Sequence, residues 1–254
     1  MVERLQWTPE LVGKFWSGIA ATSLDERSFS RTAGHLLLEV IAPLLSRDAA
    51  ILDYGAGSGH LIGRLLDAGY KAAGFEPAEG RARELARAHG ARPGFLGVIG
   101  GDSADTFDIV LCVEVVEHIL EEEFISTLAN MSRFLRPGGI LIVTTPNDET
   151  LDDALVYCPV SNVAFHRWQH VRSFTPESLQ TAFERQGLER AWLGLVSFRD
   201  EEAFHEAIRR RRQPGMGRRM VRGLRDLFGR SSPDPVDLRV LDERTIVLGM
   251  RKPA

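Results

Sequence analysis

The sequence predicts an α/β domain built on a doubly wound, mostly parallel sheet of seven strands, with an antiparallel strand at one edge. Short apolar runs alternate with amphipathic stretches from about residue 49 onward. The first run ends in a glycine-rich turn, and a helical pattern follows it directly. Strands that alternate with helices need crossover connections, so they give a parallel sheet covered on both faces.

The elements follow in order. Residues 9–45 read as helices, with Leu36, Leu37, Val40, Ile41, Leu44 and Leu45 at helical spacing. Ala49 to Asp53 is a short apolar run typical of a buried parallel strand. A helix is predicted over His60 to Ala68, a strand over Ala72 to Phe75 and a helix over Ala78 to His89. Strands follow at Gly94 to Ile99 and Phe107 to Val113, then a helix over Phe124 to Phe134. Arg136-Pro137-Gly138-Gly139 reads as a sharp turn before a strand over Ile140 to Thr144. A helix over Pro176 to Gln186 closes at Gly187. The last strands, Ala191 to Phe198 and Thr245 to Met250, have no clear helix between them and are expected to pair antiparallel. The chain therefore reads as one domain over 1–254. It divides into an N-terminal helical lid (1–47), a core (48–198), a basic helical insertion (199–240) and a last strand (241–254).

Composition narrows the function classes. With 44% hydrophobic and 26% charged residues, the chain is an ordinary globular sequence. Two cysteines, Cys112 and Cys158, cannot build a disulfide framework. The first ten residues lack the apolar stretch of a leader, and no run approaches the roughly 20 apolar residues of a membrane span. A cytoplasmic location is expected. The net charge of -4 is uneven: Arg209 to Arg230 holds nine Arg and one acid, +8, which leaves -12 on the rest. That segment reads as a basic amphipathic helix. Solvated arginines, a membrane surface or lipid-linked substrate, a second subunit and nucleic acid all fit it, with nucleic acid the least favoured.

The strongest motif is Asp53-Tyr54-Gly55-Ala56-Gly57-Ser58-Gly59, between a predicted strand and helix. Glycine permits the tight turn and the close approach of a ligand. Glu76 ends the next strand and suits the two hydroxyls of a ribose. A nicotinamide-binding loop more often reads G-x-G-x-x-G, and here His60 breaks that pattern.

These residues, with Phe107-Asp108-Ile109-Val110 and Leu135-Arg136-Pro137-Gly138-Gly139, resemble the signature blocks of class I S-adenosylmethionine methyltransferases, over roughly Ala49 to Arg190. The resemblance implies a Rossmann-like fold and S-adenosylmethionine as cofactor. It places the methionine part on Gly55 and Gly57 and the ribose on Glu76. Asp53, Tyr54, Ala56, Gly59 and Pro77 complete the cofactor set, with Val113 and Glu114 near the adenosyl group. Asp102 is the candidate for the adenine.

After the fourth strand comes Glu114-Val115-Val116-Glu117-His118. On a helix, Glu114, Glu117 and His118 share one face. His118 can act as general base, since imidazole titrates near pH 6.5, about the working pH. Alternatively Glu114, Glu117 and His118 hold a divalent metal that acidifies an acceptor. In the plainest reading, Glu117 and His118 only orient the helix. The segment resembles the ubiquinone-biosynthesis O-methyltransferase branch, which implies magnesium as a possibility, although metal is not the favoured reading.

Between Tyr157 and His170, Cys158, His166 and His170 have part of a zinc spacing, but Ser161 stands where a second cysteine belongs. A substrate-facing lid rich in His, Trp and Arg is preferred, with His166 and His170 as further candidate bases. Phe15, Trp16, Phe29 and Ser30 of the N-terminal helices are expected to cover the cleft from the other side. The sequence as a whole reads as methyl transfer to a hydroxyl of a small molecule or sugar. An RNA methyltransferase or a non-catalytic cofactor-binding protein are the alternatives.

Overall fold

The computed structural model describes residues 2–211, 236–240 and 244–254. Strand β1 (Glu3–Arg4) precedes helices α1 (Pro9–Ala20), α2 (Phe29–Thr32) and α3 (Gly34–Ile41). The alternating core runs β2 (Ala50–Tyr54), α4 (His60–Asp67), β3 (Lys71–Phe75), α5 (Glu79–His89), β4 (Phe95–Val98), β5 (Phe107–Val113), α6 (Glu121–Phe134) and β6 (Leu135–Pro146). It continues with β7 (Leu155–Cys158), β8 (Val163–His166), α7 (Pro176–Glu184), β9 (Glu189–Val196), α8 (Glu201–Arg211), β10 (Val236–Val240) and β11 (Thr245–Arg251).

The main sheet has the order β10-β9-β11-β6-β5-β2-β3-β4. The seven predicted strands are all in it, and β10 adds an eighth beside β9. Residues 236–240, the end of the expected insertion, are extended and pair along β9. The arginine-rich stretch beyond Arg211 lies outside the described residues. Strand β11 is antiparallel to both β6 and β9, so it sits inside the sheet and not at its rim. From β2 the chain winds outward through β3 to β4, and from β5 it winds the other way through β6. The reversal between β2 and β5 opens a crevice at the strands' carboxyl ends.

Period-two alternation builds the core. Ile51, Ile109, Leu111, Ile140 and Ile142 face α3, α4 and the buried Phe204 of α8. Leu52, Val110, Cys112, Leu141 and Val143 face the opposite way, against Phe124, Leu128, Met131 and Phe134 of α6 and Phe183 of α7. Each such buried aliphatic or aromatic side chain contributes about 1.5–3 kcal/mol of transfer free energy.

The predicted turn at Arg136 to Gly139 is a bulge within β6, between the pairs Phe107–Leu135 and Ile109–Ile140. The backbone of Lys252 pairs with Gly138 and Gly139 at 2.9 and 3.0 Å and keeps the segment extended. Strands β7 and β8 form a hairpin in the segment read as a lid loop, and β1 pairs along β8. The Arg4–Asp152 ion pair, 2.9 Å, ties the N-terminal stretch to the segment before this hairpin.

Two expected outcomes follow. Gly59 caps α4 with φ +83°, and a Cβ there would clash with Leu85 and lie 2.9 Å from His89 Nε2. Left-handed strain and overpacking together predict that Gly59→Ala destabilises the domain by about 2 kcal/mol or more in urea unfolding. An unchanged midpoint would contradict this packing. Asp53 is buried at the end of β2, and its carboxyl is raised to about 7 by burial and then by the charge of Glu76. The protonated form therefore supports folding fully below about pH 4, and this contribution is lost as pH rises through 7. Asp53→Asn should gain stability relative to the wild type between pH 4 and 8. A constant difference across that range would contradict the assignment.

Candidate active site

A cleft of about 1280 Å³ opens at the carboxyl ends of β2, β3 and β5. Tyr54, Gly55, Ala56, Gly57, Glu76, Pro77, Val113 and Glu114, all residues of the expected cofactor set, line it. Asp53 is buried behind that lining, and Gly59 serves as the cap of α4. Asp102 is an exposed turn residue away from the lining, so the expected adenine contact is corrected. The segment around it leaves β4 early and carries Asp102 out to solvent.

Three glycines in the left-handed region shape the loop: Gly55 at φ +82°, Gly57 at +54° and Gly59 at +83°. Any Cβ at Gly55 would approach Val115 Cγ2 to 2.7 Å. The amides of Gly55 and Ala56 donate to the Phe75 carbonyl at 2.8 and 3.0 Å, sewing the loop to the end of β3. Glu76 accepts from the Gly57 amide at 2.9 Å, the Ala78 amide at 2.9 Å and Arg81 Nη2 at 3.0 Å. Its side chain is fully buried beside the cleft, with one of its four lone-pair sites left for a further donor. A glycine-rich loop with small side chains next to a buried carboxylate fits the methionine and ribose parts of S-adenosylmethionine.

The Glu114 to His118 segment is not a helix turn with three groups on one face. The Glu114 amide still bonds the Thr144 carbonyl, 3.1 Å, so the chain stays attached to β6 through that residue. It then reverses at Glu114, φ +53°, and only Val116–His118 forms a single 3₁₀ turn. Glu114 Oε1 accepts from Thr144 Oγ1 at 2.8 Å. Burial raises its carboxyl to about 7. The expected metal set of Glu114, Glu117 and His118 is thus not assembled. Among the described residues, Glu117 and His118 converge with His170 instead, and Glu149 converges with His166 and His170, each set with donor atoms within 4.8 Å. Cys158 belongs to neither set, which removes the zinc spacing.

Glu117 is 1% exposed, and Thr145 Oγ1 donates to its Oε2 at 2.9 Å while Oε1 has no partner. Burial and the nearby Glu114 push its carboxyl well above the usual range. His118 packs edge-on against Trp16 at 4.8 Å between ring centres. Burial, then the neighbouring imidazoles of His170 and His166, lower it to about 3. Trp16 Nε1 donates to Gln169 Oε1 at 2.9 Å, and Gln169 Nε2 donates to the His118 carbonyl at 3.0 Å. Trp16, Phe29 and Ser30 line the cleft, as the lid reading expected, while Phe15 packs behind Trp16.

His170 lines the cleft, and His166 lies behind it, 3% exposed, with the two rings stacked at 4.2 Å. Glu149 pairs with both, and no sequence motif marked it. The imidazoles hold its carboxyl at about 2, outweighing a burial that would raise it.

A family model described as a methyltransferase domain matches residues 26–191, well over half of the chain. A ubiquinone biosynthesis O-methyltransferase of Rhizobium leguminosarum bv. trifolii is 33% identical over 151 residues, covering 55% of this chain. The chain spans only 58% of that relative's length. The crystal structure of a Burkholderia thailandensis 1,6-didemethyltoxoflavin-N1-methyltransferase, with S-adenosylhomocysteine bound, is similar with TM-score 0.56 and 15% identity, covering 100% of this chain and 94% of that one. A Haloferax volcanii methyltransferase structure in complex with the Trm112 activator gives TM-score 0.59 at 18% identity, covering 94% and 98%. At such identities the neighbours establish the fold. With the family match, the glycine cradle and Glu76 together, the chain belongs to the methyltransferase domain family, and S-adenosylmethionine is its cofactor.

Proposed function

We propose that the protein transfers a methyl group to a hydroxyl oxygen of a small molecule or carbohydrate. The observation that carries this is the cluster of His118, His166 and His170 with Glu117 and Glu149 beside the cofactor cradle. An amine acceptor carries its own lone pair once neutral, whereas a hydroxyl is a better nucleophile when a base takes its proton. When bound, S-adenosylmethionine supplies the electrophilic methyl on a sulfonium.

The chain's own residues supply position and proton handling. Glu76 and the left-handed loop fix one reactant, and Trp16, Phe29 and Trp168 wall the cleft where the other would lie. Aromatic faces suit a phenol or sugar ring and limit water at the reacting atoms. His118, poor as a proton acceptor at neutral pH, presents a neutral imidazole beside Trp16. The similarity to an enzyme named for ubiquinone biosynthesis O-methylation supports an oxygen acceptor.

Calorimetry on Glu76→Ala should show S-adenosylmethionine binding weakened by about 10-fold or more, since a charged hydrogen-bond acceptor is worth roughly 1.5–3 kcal/mol. Unchanged affinity in a folded variant would remove Glu76 from the site. Incubation with methyl-labelled cofactor and three probes, catechol, methyl glucoside and benzylamine, tests the acceptor class. Label on catechol or glucoside oxygen is expected, and label on benzylamine alone would contradict the hydroxyl reading.

A further inference from the structure

Glu149, His166 and His170 come from separate places in the chain yet share one hydrogen-bonded cluster. Three backbone features bring them together. Asn147 bridges to Phe174 and the Asp148 amide donates to the Phe174 carbonyl at 2.8 Å, which sets Glu149 alongside the 170–174 stretch. His166 ends β8, in register with Leu155. Gln169, at φ +64° and fully buried, turns the chain so that His170 comes back over His166.

The donors decide which ring atoms carry protons. His166 Nδ1 accepts two backbone amides, from Trp168 at 3.3 Å and from His170 at 3.1 Å. A nitrogen that accepts two N–H groups holds a lone pair, so the proton of neutral His166 is on Nε2. That atom is buried, lies 3.3 Å from Glu149 Oε1 and is not aligned for a full hydrogen bond. His166 is therefore a poor metal ligand, and it braces the pair by stacking on His170 at 4.2 Å between ring centres. The other carboxylate oxygen, Oε2, hydrogen-bonds His170 Nδ1. A carboxylate is acceptor-only, so Nδ1 of His170 donates and its Nε2 keeps a lone pair. His118 has no comparable partner: its Nε2 stands 3.8 Å from Glu117, beyond hydrogen-bond reach, and its Nδ1 is buried without a hydrogen bond.

We infer that Glu149 is a positioning residue that fixes His170 as the Nδ1–H tautomer, and that His170 Nε2 is the atom that takes the acceptor's proton. The inference rests on the hydroxyl reading above. In the step, the acceptor O–H bond breaks and its proton moves to His170 Nε2. The oxygen's electron pair forms the bond to the methyl carbon, and the pair of the breaking C–S bond stays on sulfur. The resulting imidazolium is stabilised by the Glu149 carboxylate and later releases its proton to water. The logic is that of a carboxylate-oriented imidazole base, reached here through a loop carboxylate and a second histidine as its brace.

The first test needs no acceptor. Histidine ¹⁵N–¹H correlation spectra of the full chain should show His170 protonated on Nδ1 and His166 on Nε2, with the His170 pattern lost in Glu149→Gln. A wild-type His170 protonated on Nε2, or a pattern unaffected by Glu149→Gln, overturns the proposal. The second test reads turnover with catechol as probe. Glu149→Gln should lower kcat about 10²-fold or more, with KM for S-adenosylmethionine unchanged, and Glu149→Asp should recover most of the rate. Added imidazole should partly restore His170→Ala. Equal losses in Glu149→Asp and Glu149→Gln, or no rescue by imidazole, overturn the base assignment. Loss of turnover after dialysis against EDTA, restored by zinc or magnesium, would give proton removal to a cation at Glu117, His118 and His170 and also overturn it. A wild type that ignores every hydroxyl probe while His170 keeps the expected tautomer counts against the hydroxyl reading and leaves the tautomer assignment of the dyad supported.

Discussion

The grip of Glu76 on the Gly57 amide is the constraint on which the rest of the site depends. It joins the ends of two neighbouring strands, because Gly57 follows β2 and Glu76 follows β3. The Phe75 carbonyl, one residue earlier, takes the amides of Gly55 and Ala56 in the same seam. Three glycines in the left-handed region make this turn possible, and Val115 and Leu85 pack where a Cβ on Gly55 or Gly59 would stand. A carboxylate held by two backbone amides and Arg81 at the wall of the cleft suits the hydroxyls of a ribose. Its placement follows from the strand-order reversal between β2 and β5, which no short motif could position by itself.

The acceptor side is held by different means. The aromatic and imidazole groups there come from α1, α2, the 3₁₀ turn after β5, and the end of β8 with the segment after it, so tertiary contacts align them. Gln169 is the junction, taking Trp16 on one end of its amide and the His118 carbonyl on the other. The small sheet of β1, β8 and β7 lies next to this junction and links the first residues of the chain to the lid segment. The cofactor half of the cleft is thus shaped by the sheet, while the half lined by Trp16, His118 and His170 is shaped by packed connections. Relatives on one fold can keep the first and vary the second.

The sequence was most legible where local rules decide. The alternation of Ile51 and Leu52, or of Leu111 and Cys112, assigns each strand face directly, and the structure divides the core in that way. The glycine loop and Glu76 were readable because backbone conformation and strand ends leave a chemical signature. Three features escaped. The Glu114 to His118 stretch has helical spacing, yet the hydrogen bond to Thr144 outweighs local propensity. Arg136 to Gly139 has turn composition, yet the Lys252 backbone draws it into β6. Glu149 carries no motif at all, and its partners lie 17 and 21 residues away, brought to it by backbone contacts such as the bridge of Asn147 to Phe174. Each miss was decided by a contact distant in sequence.

The most direct measurement of the central claim is a crystal structure of the chain grown with S-adenosylhomocysteine. The account predicts ribose hydroxyls within hydrogen-bond distance of the Glu76 carboxylate. The methionine portion should lie along Gly55 to Gly57, with the sulfur facing the side of the cleft that holds His118 and His170. Density for the ligand elsewhere, or a ribose that makes no contact with Glu76, would contradict it.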